Sequence, residues 1–269
     1  MIPIKDRNPT RRFAWLTFAI IVVCVVVYFF VEPTGRATLV QRTDTEQVDD
    51  VVWTIRHAAI PCELVRHRHI TVPEVVETFR EHVATCDTRP LGPPADPGKN
   101  IYLAVLYSMF LHGGLLHLGG NMLFLWIFGN NIEDRMGRLG YLLFYLAGGL
   151  VAAATHVMLQ PFSTVPVVGA SGAIAAVMGA YLVLFPDVRI LSIVPIFIIG
   201  VLAEVRAKWL LLFWLVTQFF VSPATGVATG AHIGGFIFGM AVALLWKNRL
   251  LAPDDEPAVW GWEQGRTWV

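Results

Sequence analysis

The chain has 269 residues, of which 55% are apolar and only 15% charged, and its mean hydropathy is +0.60. Soluble domains carry about 25% charge, so this composition argues against an ordinary soluble enzyme. Twenty basic residues balance twenty acidic ones and there are three cysteines, which argues against a basic nucleic-acid binder, a disulfide scaffold and a four-cysteine metal knot.

The remaining class is an all-α polytopic membrane protein. A spanning helix needs about 20 mainly apolar residues to cross ~30 Å of hydrocarbon. Residues 13–31 form the first such segment, after Lys5, Arg7, Arg11 and Arg12. Its length and the lack of a small-residue cleavage site mark it as a retained anchor. A long outer loop, residues 32–100, follows. It reads as irregular at first and then as an amphipathic helix over residues 73–85, with Pro73 in its first turn. Cys62 and Cys86 both fall in this loop, and the sequence leaves open whether they are bridged or simply packed. Five further segments follow at about 115–129, 141–159, 171–185, 209–221 and 231–246. The apolar run 190–203 is shorter and holds Pro195 and Gly200, so it is assigned as re-entrant or interfacial.

Basic residues test this count. They gather at the N-terminus, at Arg135 and Arg138, at Arg189, Arg206 and Lys208, and at Lys247 and Arg249, while residues 160–170 and 222–230 hold none. This alternation predicts six spans with both termini inside. The expected division is 1–31 as cytosolic N-terminus and first span, 32–100 as outer loop, 101–246 as core, and 247–269 as a cytosolic tail. That tail, with Trp260, Trp262 and Trp268, is expected at the membrane surface.

Polar side chains inside spans are costly and usually carry a role. Three clusters stand at the entries of the second, fourth and sixth spans: His112 with His117 and Asn121; Gly169-Ala-Ser171-Gly; and Gly-Ala-His232-Ile-Gly-Gly235. All three spans run inward from the outside, so the clusters share one depth. Small residues recur as Ser171, Ala175, Gly179 and as Gly235, Gly239, Ala243, stripes that let two membrane helices approach closely. Packing along them brings Ser171 to His232, and a serine needs such a base to act as a nucleophile. His117 and Asn121 then serve as oxyanion donors. The outer half of these spans has no carboxylate to orient the histidine, so the expectation is a dyad. Taken singly, each residue also reads as interhelical glue or a packed histidine; the coincidence at one depth favours catalysis. The eight histidines lack metal-ligand spacing: His112 and His117 are five apart, with Gly113 where a zinc protease has glutamate. No metal or other cofactor is expected.

At these residues the sequence resembles the rhomboid family of intramembrane serine proteases. SMFLHGGLLHLGGNMLFLWIFGNNIEDRMG resembles the family's second span and following turn, GASGAIAAVMGAYL its nucleophile helix, and GAHIGGFIFG its histidine helix. The resemblance implies Ser171 as nucleophile, His232 as general base, and His117, Asn121 and the Ser171 N–H as the oxyanion hole. It implies a structural or water-supplying role for His112, a match for Gly169, and a structural polar pair at Glu133 and Arg135. It also implies single-pass membrane-protein substrates met in the lipid bilayer, with no nucleic acid. A bacterial inner membrane is the expected location. The sequence departs from the family in lacking a Trp-Arg pair before the second span, and Ala175 stands where some members carry an aromatic residue. The loop 222–230 and the fifth span are the expected moving parts. An inactive relative acting as a binding or trafficking factor, and a transporter, are the rival readings; the first is expected to lack the serine or histidine, the second to carry polar groups through the full depth.

Overall fold

The computed structural model describes residues 1–33, 44–81, 86–87, 92–196, 199–222 and 227–251. The tail beyond 251, residues 82–85 and part of the loop 222–230 lie outside them.

Helices lie over the apolar segments read from the sequence. Helix α1 (Trp15–Val26) continues through a wider π turn, Val27–Val31. Helix α6 (Leu115–Leu159) runs 45 residues but is broken at Gly137, whose φ of 71° lies in the left-handed region. The break divides it into the two arms expected as the second and third spans, and Tyr141 of the second arm packs against Gly129 of the first. Helices α7 (Ser171–Leu184), α8 (Ala207–Thr217) and α9 (Thr229–Leu250) follow. By length and composition α6 and α9 are long and apolar enough to cross a membrane, and Trp15–Val31, α7 and α8 are shorter apolar helices.

α7 is the central helix: every residue from Gly172 to Leu182 is buried. Gly179 faces the backbone of Phe236 and Met240, and Gly239 faces the backbone of Ala176, with no space for a Cβ at either. The two small-residue stripes therefore meet as the sequence predicts, and α7 and α9 pack backbone against backbone. Glu133, late in the first arm of α6, accepts from the Leu16 N–H at 3.0 Å, the Thr17 N–H at 2.7 Å and the Thr17 hydroxyl at 2.8 Å. It caps the open N-terminus of α1, which fits the structural role expected of it. The Arg135 guanidinium stands 5.6 Å from the Phe185 ring centre.

Two expectations are corrected. The fold is not all-α: the run 190–203, expected as re-entrant or interfacial, is extended rather than helical. It forms a hairpin of β2 (Arg189–Ile196) and β3 (Ile199–Arg206), paired antiparallel from Arg189 opposite Arg206 to Ile196 opposite Ile199. The N-terminal strand β1 (Ile2–Asp6) adds to β2 and completes a three-stranded sheet. Pro195 and Gly200, which disfavour a helix, sit opposite each other near the turn, beyond the pairing with β1, where a strand tolerates them. Buried Asp6 holds β1 to the bundle by accepting from Asn131 Nδ2 at 2.6 Å and Tyr181 Oη at 3.0 Å.

The second correction concerns the outer region. Its first part is helical: α2 (Asp44–His57) and α3 (Pro61–Arg66) precede α4 (Val72–Val76), which passes into a π turn, Glu77–Glu81; α5 (Leu103–Ser108) leads back to the bundle. Thr71 and Glu74 form a capping box at the start of α4. Ile55, Ile60, Ile70 and the Cys62–Cys86 disulfide make a small separate core. Glu63 and Lys99, both buried, pair at 2.5 Å beside it. Cys62, Cys86 and Glu74 are the metal-like cluster among the described residues, but the sulfurs are bonded to each other and the carboxylate is committed to Arg68 and Thr71.

This unit rests on the loop between α6 and α7. The Cys62 N–H donates to the Ser163 carbonyl and the Cys86 N–H to Phe162, the Val167 N–H donates to Ala59, and the Thr78 and Thr164 hydroxyls are 2.6 Å apart. Opening the bridge, which closes a chain separation of 24 residues, is expected to cost the unit about 3 kcal/mol. Cys62→Ser with Cys86→Ser should then be cut by trypsin within the outer unit at temperatures where the parent chain resists.

Glu74 makes the unit acid-sensitive. Burial alone would raise its carboxyl, but the Arg68 guanidinium at 2.6 Å and the Thr71 and Asp87 N–H groups outweigh this and hold it down at about 2. A carboxyl depressed by folding stabilises fully above its ordinary value of 4.5, and that contribution fades as pH falls toward about 2. The thermal midpoint of the outer unit should fall across that window, and Glu74→Gln should be less stable at neutral pH and lack that part of the slope.

Candidate active site

Ser171 is the first residue of α7, where N–H groups have no partner within the helix and the dipole is positive. His232 lies in the first turn of α9. The close packing of α7 on α9 sets Ser171 Oγ 2.8 Å from His232 Nε2. Both line a cavity of about 570 Å³ that also takes in His117, Asn121, His156 and Trp214.

His117 and Asn121 sit one turn apart on the first arm of α6, on the same cavity wall. Asn121 Nδ2 is buried with no hydrogen-bond partner among the described residues, so its N–H bonds are free for an incoming oxygen. Gly169 lies between the His117 ring and the serine: a Cβ there would stand 2.9 Å from His117 Nε2 and 3.5 Å from Ser171 Oγ. Its φ of 128° is a second reason for glycine, and its N–H is held by the Ser108 carbonyl at 2.8 Å. His112 does not line the cavity. It packs its ring against His117, with centroids 5.3 Å apart, and its N–H is held by the Glu32 carboxylate at 3.1 and 3.2 Å.

Three residues were missed. The imidazole is oriented by neither a carboxylate nor an aromatic residue at position 175. Gln218 Oε1 stands 2.7 Å from His232 Nδ1, and the Trp214 ring lies 5.6 Å from the His232 ring. Both come from the region of α8, and Trp214 supplies the aromatic surface that Ala175 does not. The signal was an amide inside the apolar segment 209–221. His156, on the second arm of α6, has a buried Nδ1 with no partner among the described residues and faces the same cavity.

The arrangement offers a hydroxyl against an imidazole, amide and imidazole N–H donors on the facing wall, and a helix N-terminus aimed at the same space. That is the equipment for acyl transfer through an oxyanion.

Comparison with known proteins agrees with these features. Residues 99–249 match the family model described as Rhomboid domain. The chain is 29% identical over 177 residues to the bovine (Bos taurus) presenilin-associated rhomboid-like protein, mitochondrial, covering 61% of this chain and 43% of that one. It is 33% identical over 96 residues to Rhomboid protein 1, mitochondrial, of Saccharomyces cerevisiae, covering 34% and 28%. It is 38% identical over 78 residues to Rhomboid protease GluP of Bacillus subtilis, covering 29% and 15%. The chain thus spans less than half the length of these relatives. The match to the family model covers more than half of the chain, across α6 to α9 and the serine, histidine and asparagine they carry, and the chain is an integral membrane protein of the rhomboid family.

Proposed function

We propose that this chain is an intramembrane serine endopeptidase that cleaves membrane proteins within or beside a single transmembrane segment, using Ser171 and His232. The observation that carries the reading is the 2.8 Å approach of Ser171 Oγ to His232 Nε2 on a cavity wall shared with Asn121. His232 Nε2 takes the hydroxyl proton as Oγ attacks the scissile carbonyl carbon. The oxygen that becomes negative is received by His117, Asn121 and the Ser171 N–H, helped by the α7 dipole. His232 then gives its proton to the leaving amine, and water, deprotonated by the same imidazole, releases the acyl group from the serine.

In this reading α1, the two arms of α6, and α7, α8 and α9 are six spans with both termini inside, residues 101–246 are the catalytic core, and the outer unit holds the loop that delivers Ser171. The presence of both serine and histidine in contact speaks against an inactive binding or trafficking factor. The clustering of polar groups at one depth speaks against a transporter. The bovine and yeast relatives are named as mitochondrial, which goes against the bacterial inner membrane expected from the sequence. The integral membrane assignment does not depend on that choice.

The test is cleavage of labelled single-span proteins in liposomes holding the chain. Cleavage by the parent chain and none by Ser171→Ala is the expected result; equal cleavage by both would end the reading.

A further inference from the structure

We propose that Gln218 is a positioning residue that fixes the tautomer and direction of His232, so that the general base is set only while α8 is seated on the bundle. The proposal deepens the protease reading and rests on it for its catalytic consequence.

The argument begins with the amide. Gln218 is buried, and its Nε2 donates to the Trp214 carbonyl at 3.1 Å and to Thr217 Oγ1 at 3.3 Å. A carbonyl oxygen only accepts, so the amide nitrogen must face it. The Thr217 hydroxyl spends its own proton on the same carbonyl at 2.6 Å and keeps a lone pair for Gln218. With Nε2 committed, Oε1 is the atom that faces His232 Nδ1 at 2.7 Å. An amide oxygen also only accepts, so Nδ1 must carry the proton. A neutral imidazole has one N–H. Nε2 is therefore left with its lone pair toward the Ser171 hydroxyl, which is the form a general base requires. The chain of acceptors from Trp214 to Gln218 thus determines the ionic role of a ring on another helix.

The Gln218–His232 bond also ties α8 to the site. α8 buries only Ala207, Leu210 and Leu211 along its length, and Phe213, Val216, Phe219 and Phe220 are exposed. Toward its C-terminal end, the Gln218–His232 bond links it to the bundle at the site, with Trp214 stacked on Phe236 beside it. If this end of α8 moves aside to admit a substrate segment, Oε1 leaves Nδ1, and the imidazole can take either tautomer. Return of α8 restores the base. Catalysis would then follow closure of α8 rather than binding alone.

The test compares the parent chain with Gln218→Met, which is close in shape but has no strong acceptor, and Gln218→Glu, which keeps an oxygen at that place. Two readouts are used. The first is the kinetics of labelling by a fluorophosphonate, split into the maximal rate and the half-saturating concentration. Gln218→Met should lower the maximal rate by about tenfold or more, and shift half-saturation less than about twofold. Gln218→Glu should recover most of the rate. The second is ¹⁵N NMR of histidine-labelled protein in nanodiscs, with His232→Gln for assignment. Nδ1 of His232 should be protonated in the parent chain and in Gln218→Glu, and mixed in Gln218→Met. Wild-type labelling by Gln218→Met, equal loss in both variants, or a His232 ring still held as one Nδ1–H tautomer in Gln218→Met would overturn the proposal. The NMR result does not depend on activity. If Ser171→Ala labelled like the parent chain, the protease reading would fail while the tautomer assignment stood or fell separately.

Discussion

Ser171→Ala and His232→Ala are each expected to reduce fluorophosphonate labelling and substrate cleavage to background, a loss of roughly 10⁴-fold or more. The two losses should be similar in size and should not add in the double variant, because the hydroxyl and imidazole act as one unit: without Nε2 at 2.8 Å, the Oγ proton has no acceptor. Asn121→Ala should behave differently. Its Nδ2 has no partner to lose among the described residues, so truncation leaves no orphaned group nearby and removes only a donor that matters once the oxyanion forms. The expected result is a fall of about 10²-fold or more in the maximal rate with little change in half-saturation. Measuring all four variants by the same labelling assay separates nucleophile activation from oxyanion support. An Asn121→Ala protein that loses affinity while keeping its rate would mean that the side chain binds substrate instead.

How much of this site was legible follows from where each residue's signal lies. Ser171, His232, His117 and Asn121 are polar groups among glycines at the entries of apolar segments, and the expense of such groups in lipid makes them conspicuous. The stripes that bring two of them together have a period of four, which a helix turns into one face. Gln218 gives a weaker signal, because it is one amide near the end of the apolar segment 209–221 with no glycines around it. The hairpin escaped for a different reason. A short unbroken apolar run does not by its periodicity distinguish a buried strand from a helix. The β-branched residues Ile190, Ile193, Val194, Val201 and Val205, with Pro195 and Gly200 between them, were the available signal. In the outer unit, Asp44–His57 carries its acidic residues early and Arg56 and His57 at its end, an arrangement that favours a helix through the dipole. Thr71 and Glu74 are likewise spaced as a capping box. Contacts between the outer unit and residues 162–167 depend on pairing across 76 to 108 positions, and no local pattern encodes them.

Gly239→Leu should be the most damaging substitution away from the chemistry. In a bilayer, apolar burial gives little reason for one helix to prefer another over lipid, and close backbone approach supplies the association. At Gly239 the neighbour is the Ala176 carbonyl and Cα, and at Gly179 it is the Phe236 carbonyl. These are backbone atoms of regular helices, so they cannot swing aside as a flexible side chain would. A side chain at Gly239 must therefore push α9 away from α7, and overpacking of this kind costs about 3 kcal/mol or more. The separation also draws His232 from Ser171, because each sits at the end of the same pair of helices, so labelling should fall even in protein that remains folded. Gly119→Ala is the control: its Cβ would meet nothing within 4 Å, and a helical Gly→Ala change should be neutral or favourable by up to about 1 kcal/mol. Denaturation by sodium dodecyl sulfate in mixed micelles, read by circular dichroism alongside fluorophosphonate labelling, measures both effects. A Gly239→Leu protein that kept the parent midpoint and the parent labelling rate would show that α7 and α9 do not depend on backbone contact to assemble the serine and histidine.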